Sequence, residues 1–142
     1  MAAVFRYRVV EPIDWGDWVD IRAAAAEDVR CYEYWGESLS LNGDHAFPGG
    51  FTKVTCAIDD EALDLAMGLL DIQHMIRWLA IISHQYRCNW ELSLGGTVVG
   101  MLEHGVIPNG LMASIEERLG YTLNQGPRVI DRAQALQQHA NR

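Results

Sequence analysis

The five histidines are the first side chains to consider for chemistry, because an imidazole titrates near neutrality and can both shuttle protons and bind metals. Asp44-His45 stands in "NGDHAFPGG", a glycine-flanked loop of the kind that carries binding and catalytic groups. Tyr34, Trp35, Glu37 and Phe47 are close to it in sequence. Together, Tyr34, Trp35, Glu37, Asp44, His45 and Phe47 form a candidate ligand site in which rings stack on a flat or cationic ligand while acids and an imidazole hold its polar groups. The same rings would serve equally well as core or oligomer packing.

Other groupings are weaker. Asp71 and His74 are three residues apart, close enough on a helix to touch, either as an oriented base or as a surface pair at a kink. His74 and His84 are separated by about 15 Å of continuous helix, too far to share a metal. Glu103 and His104 would point to opposite faces of a strand. "SLGGT" lacks the order of a nucleophile elbow, and Ser83 is expected within a helix. Gly95-Gly96-Thr97 and Gly49-Gly50-Phe51 match no phosphate-loop fingerprint. Cys31, Cys56 and Cys88 are odd in number and widely spaced, which supports neither a disulfide framework nor a zinc site and leaves buried free thiols as the expectation. No catalytic residue, metal or cofactor is assigned.

Charge narrows the partners. The net charge is -8, with 19 acids against 11 Lys plus Arg, and the basic residues are scattered along the chain. That disfavours nucleic acid and anionic membranes and is compatible with a basic protein or a cationic ligand. With 49% apolar and 21% charged residues, the chain belongs among folded soluble proteins. Its 142 residues suit one domain. No signal-peptide pattern opens the sequence, so the cytoplasm is the expected compartment. Residues 63–82 are apolar but interrupted by Asp64, Asp71, Gln73, His74 and Arg77, a poor pattern for a membrane span.

Several elements must position these groups. "VFRYRVV" reads as a strand with Phe5, Tyr7 and Val9 on one face and Arg6, Arg8 and Val10 on the other. A helix is expected over residues 15–30, through Trp18, Ile21, Ala25 and Val29. Tyr32, Tyr34 and Leu39 suit an irregular strand, and "FTKVTCAI" a better one. Asp59 is the expected N-cap of a long helix reaching about Tyr86, with Asp60 and Glu61 in its first turn. A hairpin turning at Gly95-Gly96 follows, then a short helix through Leu111, Met112, Ile115 and Leu119, stopped by Gly120. This order predicts a single α+β domain over residues 1–125, a mainly antiparallel sheet with helices on one face. Residues 126–142, through Val129, Ala133 and Leu136, form a weakly amphipathic helical tail.

The long central helix changes character along its length. Asp60, Glu61, Asp64 and Asp71 share one side of its first half, and that side later carries Met75, Trp78, Leu79 and Ile82. The change is explained by a kink near Gly68, by two layers of one core, or by an interface with another chain. The leading reading is a non-enzymatic, acidic, cytoplasmic binding or interaction protein that self-associates through Met75, Trp78, Leu79 and Ile82, a dimer being the expected assembly. The alternative is a small-ligand-binding protein or small enzyme with an aromatic pocket around Trp35, Asp44 and His45.

"IDWGDW" is read as a helix start. Asp14 is the N-cap, Asp17 the third helical residue, and Ile13 and Trp18 occupy the two places of a hydrophobic staple. Asp14→Ala is therefore expected to lower stability by about 1 kcal/mol, read as a fall in the denaturant midpoint; an unchanged midpoint removes the cap.

Overall fold

Phe5, Tyr7 and Val9 are at most 1% exposed, whereas Arg6 and Arg8 between them are exposed. This alternation places β1 (Ala2–Val9) at the boundary between a core and solvent. The computed structural model describes residues 2–55 and 61–120. In it, β1 pairs antiparallel with β2 (Gly49–Thr55) on one side and with β3 (Trp90–Leu94) on the other. Strand β4 (Thr97–Leu102) completes a four-stranded sheet of order β2-β1-β3-β4.

Helices α1 (Trp15–Cys31), α2 (Glu61–Tyr86) and α3 (Leu111–Leu119) cover one face of this sheet. Ile21, Ala25, Met75, Leu79, Leu111 and Ile115 share a single core cluster with Phe5, Tyr7, Val9, Trp90 and Leu92. The α+β domain is thus the architecture expected from the sequence. The expected N-cap Asp59, Asp60, Cys56 and the tail over residues 126–142 lie outside the described residues.

Local signals explain most boundaries. Asp14 accepts a hydrogen bond from the Asp17 amide at 2.8 Å, and Ile13 and Trp18 both pack inward. Leu94 faces Thr97 across a two-residue turn in which Gly95 and Gly96 have φ of 59° and 84°, the left-handed pair that a type I′ hairpin requires. Gly120, also left-handed, caps α3. The expected irregular strand through Tyr32, Tyr34 and Leu39 is absent; residues 32–48 are a loop with one isolated bridge, Asn42 to Gly49.

Helix α2 runs unbroken through Gly68. A Cβ there would sit 3.1 Å from Val54 Cγ1, so this glycine permits close approach to β2 without interrupting the helix. Residues Leu63–Tyr86 are long and apolar enough to cross a membrane by length and composition, and most of the apolar window within that stretch is buried inside the fold. Within it, Asp71, His74 and Ser83 have hydrogen-bond partners from other parts of the fold. Asp71 is 1% exposed and accepts from the amides of Trp35 at 3.2 Å and Gly36 at 2.9 Å.

A second tie holds the same loop. The Tyr7 hydroxyl donates to the Ser40 carbonyl at 2.8 Å and accepts from the Ser40 amide at 2.9 Å. Gly50, paired with Tyr7 across the sheet, lets the loop cross there, since a Cβ would collide with the Ser40 carbonyl and the Tyr7 ring. Asp71→Ala would strand two amides that now end on a carboxylate. It should cost about 1–3 kcal/mol, the cost of one buried unsatisfied group, because the Trp35 amide is buried while Gly36 is exposed; a loss under about 0.5 kcal/mol in denaturant unfolding would refute this role.

Candidate ligand-binding cleft

With all three helices on one face, the other face of the sheet carries the alternate residues. The register sets Arg6 between Phe51 and Ser93, and Arg8 between Gly49 and Glu91. The Arg6 guanidinium carbon lies 5.5 Å from the centroid of the Phe51 ring, a cation–π contact. Arg8 reaches Glu91 at 4.0 Å. The 42–47 segment borders this surface, and Asn42, Gly43 and Phe47 line an open cleft of about 530 Å3 together with Arg6, Arg8, Phe51 and Glu91. Gly49 leaves the cleft floor as bare backbone, because a Cβ there would be 2.5 Å from the Tyr7 carbonyl.

The electrostatics are unusual for this chain. Arg6, Arg8 and Lys53 project from one sheet face, three of only 11 Lys and Arg residues in a protein of net charge -8. Three of the basic residues thus share one sheet face, although the basic residues are widely spaced along the chain. Among the described residues no carboxylate is within ion-pair distance of Arg6, and Glu91 meets Arg8 only at the outer limit. Such an arrangement can hold a carboxylate or another small anion, with the phenylalanine rings receiving its apolar part.

The six residues expected to form one pocket are distributed over several places. Tyr34 donates to Asp28 at 2.5 Å, and Trp35 is buried against Met67. Trp35 lines a separate hollow of about 220 Å3 with Lys53, Asp64 and Asp71. Glu37 is exposed. Asp44 is 3.5 Å from His45 and accepts from the Ala46 amide at 3.0 Å, so it serves the turn. His45 meets Trp15 edge-on at 5.2 Å, and Trp15 is 64% exposed. Of the six, Phe47 reaches the cleft. Phe51, one of the rings between Trp15 and Phe51 that could line a pocket, is there too; Arg6, Arg8 and Glu91 were not singled out, and the available signal was the alternation of arginine with buried aromatics in "FRYRV".

The expected Asp71–His74 pair is not formed. Asp71 turns inward to the loop, while His74 Nε2 lies 2.7 Å from Asp28 Oδ1 and its ring stacks on Tyr32 at 3.6 Å. Asp28 is nearly buried and holds Tyr34 through its second oxygen. Burial raises the Tyr34 phenol above its ordinary value, and the bond to Asp28 and that residue's charge add to the effect. The phenol therefore remains a donor. This cluster binds α1, α2 and the start of the loop together, and the cleft beside Arg6 and Arg8 is lined by other residues.

Met75, Leu79 and Ile82, expected at an interface, are at most 2% exposed within the single chain, and Trp78 packs partly buried against the same core. Their burial is supplied by the chain's own sheet. His84 and His104 line an open hollow of about 650 Å3 with Arg87, and His104 lies in a turn beyond β4 with φ of 53°. Among the described residues no group of three or more His, Cys, Asp and Glu could hold a metal.

Cys31, expected to be buried, is exposed, whereas Cys88 is buried. Burial pushes the Cys88 thiol up to about 11. At about pH 8 Cys88 is therefore protonated as well as enclosed, and iodoacetamide on the native protein should label Cys31 well before Cys88; equal labelling by mass spectrometry would contradict this. No protein-family model matches the chain, and no curated protein or solved structure is significantly similar to it.

Proposed function

We propose that the protein is a binding protein for a small anion with a flat apolar body, held in the cleft between the open sheet face and the 42–47 segment. The observation that carries this reading is the pair of guanidiniums beside two phenylalanine rings, in a cleft of about 530 Å3. That volume falls within the roughly 300–1,000 Å3 usual for small-molecule sites. Residues 34–40 are tied to the core at Asp28, Asp71 and Tyr7, and the 42–47 segment is held by backbone bonds between Asn42 and Gly49 and from the Ile13 amide to the Ala46 carbonyl, so the cleft wall is in place before any ligand arrives. Preorganisation of this kind lowers the cost of binding.

The overall charge of the chain supports a local role for the arginines. A surface of net charge -8 repels anions at long range, so an anionic ligand gains little from steering and depends on direct guanidinium contacts. Self-association through α2 stands second, because Met75, Leu79 and Ile82 have no surface left to offer.

Titration of isotope-labelled protein with phenylacetate, benzoate and phenyl phosphate tests the proposal by two-dimensional NMR. At least one probe should give saturable shifts at Arg6, Arg8, Phe47 and Phe51. Replacing both exposed arginines by glutamine should then raise Kd about tenfold or more, since a hydrogen bond to a charged group contributes about 1.5–3 kcal/mol. The absence of saturable shifts with all three probes, or an unchanged Kd in the double variant, would overturn it.

A further inference from the structure

The cleft is not uniformly basic. Glu91 stands directly across from Arg8 in the β1–β3 register, half-buried, with its Oε1 4.0 Å from the Arg8 guanidinium. At that distance the pair is electrostatic and not a close hydrogen-bonded fork, so Glu91 leaves much of Arg8's bonding capacity available. Two guanidiniums and one carboxylate give the cleft a single net positive charge. Arg6, which stands between Phe51 and Ser93, is the guanidinium without a carboxylate neighbour among the described residues.

Resting on the anion-binding reading of the same cleft, we propose that Glu91 is a specificity-determining residue that selects monoanionic aryl carboxylates over phosphate dianions. A carboxylate takes the Arg6 guanidinium and shares Arg8, matching the single net charge, while its ring lies in the space bordered by Phe47 and Phe51. The second negative charge of a phosphate must be placed near the fixed charge of Glu91. Partial burial strengthens that repulsion relative to water. The cleft thus rejects the wrong ligand by a like charge as well as accepting the right one by an unlike charge. Gly49, on the other side of Arg8, contributes no side chain, which leaves room for an aryl ring beside Phe51.

The test compares phenylacetate with phenyl phosphate on the full chain by isothermal titration, at about pH 8, where the phosphate is a dianion because its second pKa is near 6. The wild type should prefer phenylacetate by about tenfold or more. Glu91→Gln should strengthen phenyl phosphate binding by about tenfold while changing phenylacetate by less than about threefold. In the wild type, lowering the pH to about 5 converts phenyl phosphate to a monoanion and should shrink the preference, a readout that needs no variant.

If both probes bind but phenyl phosphate is equal or better, or if Glu91→Gln leaves their ratio unchanged, the selectivity proposal falls and the anion cleft stands. If neither probe binds the wild type, the selectivity proposal falls, and if benzoate fails as well the anion reading falls with it.

Discussion

A sheet covered on one face must satisfy core and solvent with the same strands, and β1 carries most of that burden. It is a central strand, hydrogen-bonded on both sides, so neither of its edges is free to adapt. Only its two faces differ. Phe5, Tyr7 and Val9 anchor the helices, and Arg6 and Arg8 are consequently fixed on the opposite surface. A one-residue slip would bury two guanidiniums and expose two aromatic rings, so the core strongly specifies the register that also builds the cleft. The position of the arginines is therefore a by-product of hydrophobic burial, and it is as firmly held as the core itself.

The loop over residues 32–48 is long for a connection without secondary structure, and such loops are either functional or disordered. Here buried polar groups replace a hydrogen-bond ladder. Asp28 holds Tyr34, Asp71 holds the amides of Trp35 and Gly36, and Tyr7 holds Ser40. The three anchoring residues come from α1, α2 and β1, so the loop is referenced to three separate elements of the core beneath it. Buried polar networks of this kind specify geometry because a displaced partner leaves an unsatisfied group.

Much of the fold was legible in the sequence where the signal is local. The cap at Asp14, the Gly95-Gly96 turn and the Gly120 stop depend on a few neighbouring residues whose chemistry allows few alternatives. The two faces of β1 were legible for the same reason. The cleft was less so, because it joins Arg6 and Arg8 to Phe47, Phe51 and Glu91 from chain positions up to 85 residues apart. Asp71 misled for a related reason. Its neighbour at helical spacing is His74, but each side chain prefers a partner from another element, and tertiary packing decides between local and distant contacts. The apolar half of α2 was similarly ambiguous, since a core face and an interface face share one composition.

The single hydroxyl of Tyr7 both gives and receives a hydrogen bond at Ser40, while the flanking residues of the same strand supply the guanidiniums. Wall and floor are thus mounted on one three-residue segment at the centre of the sheet. Burial keeps this phenol above its ordinary pKa, so the donor half of the bond persists into alkaline solution. Opening of the cleft at this point is coupled to disturbance of the core strand and not to fraying of an independent loop. Amide exchange at Ser40 would then follow the cooperative unit of β1, and a ligand that stabilised the cleft would slow exchange deep in the sheet as well as at its surface.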